Sequence, residues 1–277
     1  MQALELYEQK IISDDEFPVQ LHINDIHKKG YYFMPHWHEH IELHYILEGK
    51  TKIKLNQNEI IAQKGNLVIA NSNELHAGYC DGDPVKALVV IFELGALSKE
   101  AADKNIILQS LVEKDEKIDG MMKQIWEENE AKALGYRLLC KGILLQLITH
   151  LIRNYTKIML SDYESLRRMK QLERLNTVIS YIEGHYTEQI SNKELADLIH
   201  LSEDRFNHLF KESMSMAPLQ YINEMRLKKA KCLLKQNEFT VSEVAMAVGF
   251  RDYNHFGRMF RKLYGCSPLE ATGWKKK

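Results

Sequence analysis

No two of the four cysteines, Cys80, Cys140, Cys232 and Cys266, stand in C-x-x-C spacing. Such scatter fits reduced, structural thiols better than a disulfide frame or a zinc ribbon. A membrane-spanning stretch is missing as well. The longest strongly apolar run, Gly142 to Ile152, is interrupted by Gln146, Thr149 and His150, and falls short of the roughly 20 residues a bilayer demands. The opening MQALELYEQK carries acidic residues where a signal peptide needs a basic start and an apolar run. A soluble, cytoplasmic chain with no membrane partner is expected. G-x-S-x-G, Walker and dinucleotide fingerprints are all absent, which leaves none of those chemistries to invoke.

Net charge is scarce too, with 37 basic residues against 38 acidic ones. Divided along the chain, the balance changes. Arg174 to Lys277 holds 16 Lys and Arg against 12 Asp and Glu, whereas the preceding part holds 21 against 26. An acidic first part joined to a basic second part suggests separate tasks, with any polyanion facing the second. At 277 residues and 45% apolar content, the chain has material for two ordinary domains.

From Gly30 to about Phe92 the runs TKIKL, EIIAQ, LVIA and VKALVVIF are separated by NQN, KGN and NSNEL. This spacing predicts an antiparallel all-β barrel or sandwich. From about Lys99 to Tyr155 the pattern turns helical. In LGYRLLCKGILLQLITHLIRNY, the residues Leu138, Leu145, Ile148 and Ile152 define a stripe expected to pack on the barrel. Leu139, Ile143, Leu144 and Leu147 lie off that stripe and leave room for a second buried face, such as a dimer contact. SDYESLRRMKQLER, between Lys157 and Arg174, is highly charged and marks a boundary, either loop or exposed helix. The expected organisation is a first domain over 1–160, a linker over 161–173 and an all-α domain over 174–277.

The second domain contains a repeat. ISNKELADLIHLSEDRFNHLFK and FTVSEVAMAVGFRDYNHFGRMFR superpose at an offset of 49 and then 50 residues. Each opens with a capping box, Ser191 with Glu194 and Thr240 with Glu243, followed by a small Ala196 or Ala245. The turn of the second copy has Gly249 where a left-handed residue is needed, with Phe250 behind it. His200 takes the equivalent place in the first, one of the non-glycine residues that visits this region. Ser202 and Asp252 are the next N-caps, and phenylalanines follow four apart, Phe206 with Phe210 and Phe256 with Phe260. Helix, tight turn, helix, twice over, describes two helix-turn-helix units joined by a long helix after Pro218. A plain helical bundle would use the same caps; two copies at fixed offset in a basic domain weigh against it.

VSEVAMAVGFRDYNHFGRMFRKLYGCSP, with LLK before it, resembles the DNA-binding domain of AraC-type transcription regulators over about the last hundred residues. The resemblance implies that each second helix enters one of two successive major-groove segments of double-stranded DNA, about one helical turn apart. The family's groove-facing positions fall on Asp204, Arg205, Asn207, His208 and Lys211, and then on Tyr253, Asn254, His255, Gly257 and Arg258. Asn207 and Asn254 suit adenine edges, Arg258 guanine or phosphate, and Lys211 and Arg261 phosphates. Glu203 and Asp204 suit the helix N-terminus better than phosphate. Three departures stand out: Gly257 replaces the usual small hydroxyl residue, Ser215 replaces a glycine before Pro218, and ATGWKKK lacks the usual Tyr-Arg after Pro268. The family's usual outcome is activation of transcription through RNA polymerase, often by homodimers and often in sugar use.

The first domain contains HWHEHIELH, residues 36 to 44. Gly30, His36, His38, Glu42 and Gly49 fit the first cupin motif, G-x5-H-x-H-x3-E-x6-G. Gly65 and His76 keep the spacing of the second, with Asn71 and Asn73 in place of its proline and glycine. Strand alternation lets His36, His38 and Glu42 face one barrel interior. The resemblance implies a metal set of His36, His38, Glu42 and His76, suited to Fe(II), Mn(II), Ni(II) or Zn(II). AraC-type regulators also use a cupin-like domain to bind an organic effector, and the same four residues would then hydrogen-bond a small polar molecule such as a sugar. Trp37 or Tyr45 would wall that pocket only if turned inward, against strict alternation. A structural His38–Glu42 pair is the third option. His40 and His44 share the same parity without a motif position, and are expected to be solvated or at the rim.

Three functions follow. The first is a one-component regulator controlled by a small-molecule effector. The second is a cupin oxygenase or isomerase with a divalent metal cofactor, fused to a DNA-binding module. The third is a metal or redox sensor. The degraded second cupin motif and the regulatory second half favour a regulator over an enzyme.

Overall fold

The structure, a computed structural model, describes residues 6–272 apart from Ile11, Ser13, Asp15, Ser215 and Asn237. The departures expected at Ser215 and beyond Thr272 lie outside the described residues. The chain divides into two compact units, one from Leu6 to Leu172 and the other containing Glu173 onward. Among the described residues no helix is long and apolar enough to cross a membrane, and the four cysteines are free thiols.

Eight strands open the first unit: β1 (Val19–Ile26), β2 (Gly30–His36), β3 (Ile41–Glu48), β4 (Lys50–Leu55), β5 (Asn58–Gln63), β6 (Leu67–Ala70), β7 (His76–Cys80) and β8 (Val85–Phe92). Two short helices, α1 (Leu94–Leu97) and α2 (Lys99–Ala102), precede β9 (Ile106–Leu108) and β10 (Leu111–Val112). Then come α3 (Glu116–Ala131), α4 (Tyr136–Tyr155), β11 (Thr156–Met159) and α5 (Asp162–His185). One sheet has the order β1-β8-β3-β6-β10 and the other β2-β7-β4-β5, with β9 and β11 as a separate pair. All eight principal strands pair antiparallel.

The central strand β3 explains the layering. Its six residues Ile41–Ile46 are all buried, because the five-stranded sheet is covered on both faces. Leu43 and Tyr45 join α3 and α4 in one core with Leu67, Leu88 and Val90. Ile46, one step out of phase, packs with Ile53, Leu55 and Ala62 of the second sheet. Period-two alternation thus sends odd residues of β3 to the helices and even residues, including Glu42 and His44, to the space between the sheets. Tyr45 caps this arrangement by donating its hydroxyl to Asp119 of α3.

Three expectations need correction. On α4 the buried residues are Cys140, Ile143, Leu144, Leu147, Ile148 and Leu151, whereas Leu138 and Leu145 of the expected stripe are 78% and 38% exposed. Apolar residues occur nearly all round this helix, so periodicity alone did not select the face. Second, His38 lies in the connection between β2 and β3 rather than on a strand with Glu42. Third, strands β9 and β10 interrupt the region expected to be helical from Lys99. Of the expected linker 161–173, residues 162–173 are helical, the first half of α5.

The second unit contains α6 (Asn192–Leu198), α7 (Glu203–Met214), α8 (Pro218–Leu234), α9 (Val241–Ala247), α10 (Tyr253–Tyr264) and α11 (Pro268–Ala271). Both capping boxes form. The turns after α6 and α9 are left-handed at His200 (φ 55°) and Gly249 (φ 91°). Phe206, Phe210, Phe256 and Phe260 are each 1% exposed or less. Arg226 of α8 is buried and donates to the carbonyls of Tyr186 and Glu188, both at 2.6 Å. That satisfies its guanidinium and staples α8 to the chain ahead of α6.

Gly249 is under a double constraint, since an added Cβ would meet the backbone oxygen of Thr187 at 2.7 Å. Gly249→Ala is expected to cost about 1–3 kcal/mol in urea unfolding of the full chain followed through the second unit. His200→Gly, at the equivalent turn, should cost nothing or stabilise slightly. Equal stability of Gly249→Ala and the parent would contradict the turn geometry.

Candidate functional site

β2 pairs with β7 in a register that sets His36 directly opposite His76. β3 brings Glu42 into the same space, and the β2–β3 connection adds His38. One ligand atom from each of His36, His38, Glu42 and His76 lies within 4.8 Å of the others. His38, Glu42 and His76 are at most 4% exposed.

Hydrogen bonds fix the ring orientations. The Nδ1–H of His36 donates to the carbonyl of Met34 at 2.8 Å, that of His38 to His40 at 3.1 Å and that of His76 to Glu74 at 2.7 Å. A carbonyl can only accept, so in each neutral ring Nε2 carries the lone pair. All three rings therefore present the metal-binding tautomer, held by the kind of outer partner that orients histidine ligands. His36 Nε2 is buried without a hydrogen bond; Glu8 approaches it to 2.9 Å but out of hydrogen-bond alignment. His38 Nε2 and His76 Nε2 stand 3.0 and 3.4 Å from Glu42 Oε2.

A carboxylate this deeply buried needs compensating charge or donors. Burial pushes the Glu42 carboxyl up, yet the charge of His44 and the hydrogen-bonding imidazoles of His38, His44 and His76 hold it well below the usual range. In their neutral form His38 and His76, with Nδ1–H spent on carbonyls, face Glu42 with lone pairs. The donor set thus fits a divalent ion of the first transition row, with three nitrogen donors and one oxygen donor.

His44 was expected to be solvated and is instead fully buried, with Nε2 3.1 Å from Glu42 Oε1 and its ring stacked on Phe33 at 5.1 Å. Its parity with Glu42 on β3 was the available signal. His40 is also buried rather than solvated, at 9% exposure, beside the His38 ring. Phe33 makes ring contacts with His36, His44 and His76 and so occupies space that an organic ligand at these residues would need. Tyr45 faces α3, and Trp37 packs on Tyr7; neither forms an aromatic wall for the cluster.

In the second unit the residues expected to face the groove share one burial pattern in α7 and α10. Phe206 and Phe210 point inward while Asp204, Arg205, His208 and Lys211 are exposed and Asn207 is half-buried. On α10, Phe256 and Phe260 point inward while Tyr253, Asn254, His255, Arg258 and Arg261 are exposed and Gly257 is half-buried. Asp252 caps α10 through the amides of Asn254 and His255, at 2.7 and 3.2 Å. The amide oxygen of Asn207 is buried and unpartnered, and His208 pairs with Glu212 at 3.3 Å.

Residues 23–148 match the family model of the AraC-like ligand binding domain, and residues 195–272 match a helix-turn-helix domain. The HTH-type transcriptional activator RhaS of Enterobacter sp. (strain 638) is 32% identical over 162 residues, covering 58% of this chain and 54% of that protein. The probable transcriptional regulator LumQ of Photobacterium leiognathi is 36% identical over 124 residues, covering 44% and 50%. The chain spans about half the length of the curated relatives it matches. ToxT from Vibrio cholerae, a solved structure, aligns over 92% of this chain and 98% of its own at 13% identity and a TM-score of 0.42.

Cobalt(II) titrated into chelator-stripped full-length protein is expected to give ligand-field bands that saturate at one equivalent per chain. His76→Ala and Glu42→Gln should each weaken uptake by more than about tenfold. Unchanged uptake in both variants would show that these residues are not the donors.

Proposed function

The chain belongs to the AraC-type transcription regulators, and from that premise we propose that it is a sequence-specific DNA-binding regulator, not an enzyme, governed by a divalent metal ion held in its barrel. The observation that carries the barrel reading is the shared tautomer of His36, His38 and His76, each Nδ1–H spent on a backbone carbonyl, with the Nε2 atoms of His38 and His76 turned toward Glu42. When bound, the ion supplies the positive charge that this buried carboxylate and three lone pairs call for. His36, His38, Glu42 and His76 would hold it, and Phe33 would shield it.

The partner of the second unit is double-stranded DNA. α7 and α10 would each lie in a major-groove segment, with Asn254 and Arg258 reading base edges. Asp204, Arg205, Asn207, His208, Tyr253, His255 and Gly257 would complete the groove surface, and Lys211 and Arg261 would neutralise phosphates. The relative from Enterobacter is named as an activator, and we assign activation through RNA polymerase to this chain, in the cytoplasm. Exposed Leu134, Leu138, Leu139 and Leu145 on and before α4 support a homodimer. Regulation requires that the barrel's ligand bind one arrangement of the protein better than another.

A small organic effector, a sugar among them, is the second reading. A cavity of about 270 Å³ in the first unit favours it, lined by Glu39, Ile41, Asn73, Leu94, Ser165 and Arg168 among others. This cavity does not include the four residues of the histidine cluster.

The DNA assignment is tested on a duplex selected from a random pool by the parent protein. Arg258→Ala should weaken binding about 5- to 150-fold and relax preference at one base position. Lys211→Ala should weaken all sequences alike and reduce the salt slope by about one. Arg258→Ala with unchanged affinity and preference would remove α10 from the groove.

A further inference from the structure

The loop between β6 and β7 is tied to the metal donors on one side and to α5 on the other. On the inner side, the Glu74 carbonyl accepts from His76 Nδ1 at 2.7 Å, and the Asn73 amide donates to the His38 carbonyl at 2.9 Å. Two of the three imidazole-bearing residues are thus fastened to this loop. Glu74 Oε2 closes the loop by accepting from the Asn71 amide and side chain at 3.0 and 3.2 Å.

On the outer side, Arg168 of α5 donates Nε–H to the Asn73 carbonyl at 2.9 Å. One of its terminal nitrogens lies 3.7 Å from Glu74 Oε1, which also accepts from Asn56 at 3.0 Å. Asn73 presents that carbonyl from a left-handed conformation, φ 55°, which asparagine adopts more readily than most non-glycine residues. The cavity of about 270 Å³ lies against Arg168, Asn73 and Ser165. α5 then runs on to His185.

We propose that Arg168 is a positioning residue that couples the His36–His38–Glu42–His76 cluster to the docking of α5, and so to the unit that α5 enters. This rests on the metal reading above. With α5 docked, Arg168 holds Asn73 and Glu74, and through them the backbone anchors of His38 and His76. With α5 released, the same loop loses its outer tether and the two histidines lose part of their preorganisation. The docked arrangement is therefore the tighter binder, and by reciprocity an occupied cluster favours docking. The coupling is carried by one hydrogen bond between residues 95 positions apart in the chain and by the ion pair beside it.

Hydrogen–deuterium exchange on the full chain, with and without saturating Co(II), tests this. In the parent protein, Co(II) is expected to slow exchange about tenfold in peptides covering 71–76 and 162–172. In Arg168→Gln, Co(II) should still bind, weakened by no more than about tenfold, and should still protect 71–76 but no longer 162–172. Arg168→Lys, which keeps the charge toward Glu74 but lacks the Nε–H, should restore part of the lost protection. Full protection of 162–172 in Arg168→Gln would overturn the coupling, as would a parent protein that binds Co(II) without any response in α5. A parent protein that takes up no Co(II) would instead remove the metal reading, and this inference with it.

Discussion

A carboxylate buried inside a barrel is the constraint around which the first unit is organised. Glu42 is 4% exposed, and taking its charge out of water costs several kcal/mol unless something returns it. The alternation of β3 gives Glu42 no other place, since its neighbours Leu43 and Tyr45 are committed to the core under α3 and α4. Four imidazoles surround it, and three of them are orientationally locked by backbone carbonyls. A purely structural His38–Glu42 pair would need one ring, not four. The surplus of oriented nitrogen donors is what distinguishes a binding centre from a satisfied core polar group.

The second unit rests on a different economy. Its helices α6, α7, α9 and α10 are short, and short helices gain little from propensity alone. Capping boxes at Ser191 and Thr240, a buried pair of phenylalanines in each second helix and the Arg226 staple supply the definition instead. Because the inward face of α7 and α10 is spent on phenylalanines, the outward face is left to polar side chains. The same spacing that fixes the core thereby presents the residues proposed to face DNA.

Much of this was legible in the sequence, for identifiable reasons. Motif spacing named His36, His38, Glu42 and His76, and the structure brings those four together. Repetition at fixed offset revealed both helical turns, including the left-handed His200. The face of α4 was not legible because apolar residues encircle it. The burial of His44 was overlooked although its parity with Glu42 placed it inside. Neither the closing of the cluster by the β2–β3 connection nor the bond from Arg168 to Asn73 has a local signature, because each depends on chain segments meeting in space. The same holds for Phe33, whose stacking on His44 decides how much room the barrel interior offers.

In the function proposed above, occupancy of the barrel controls the hold on DNA. The most direct test is the affinity of the full chain for a duplex selected by the metal-loaded protein, measured by fluorescence anisotropy for chelator-stripped and Zn(II)- or Co(II)-loaded protein at one salt concentration. A change of about fivefold or more is expected, abolished by Glu42→Gln. Identical affinities for stripped and loaded protein, with the metal demonstrably bound, would contradict it.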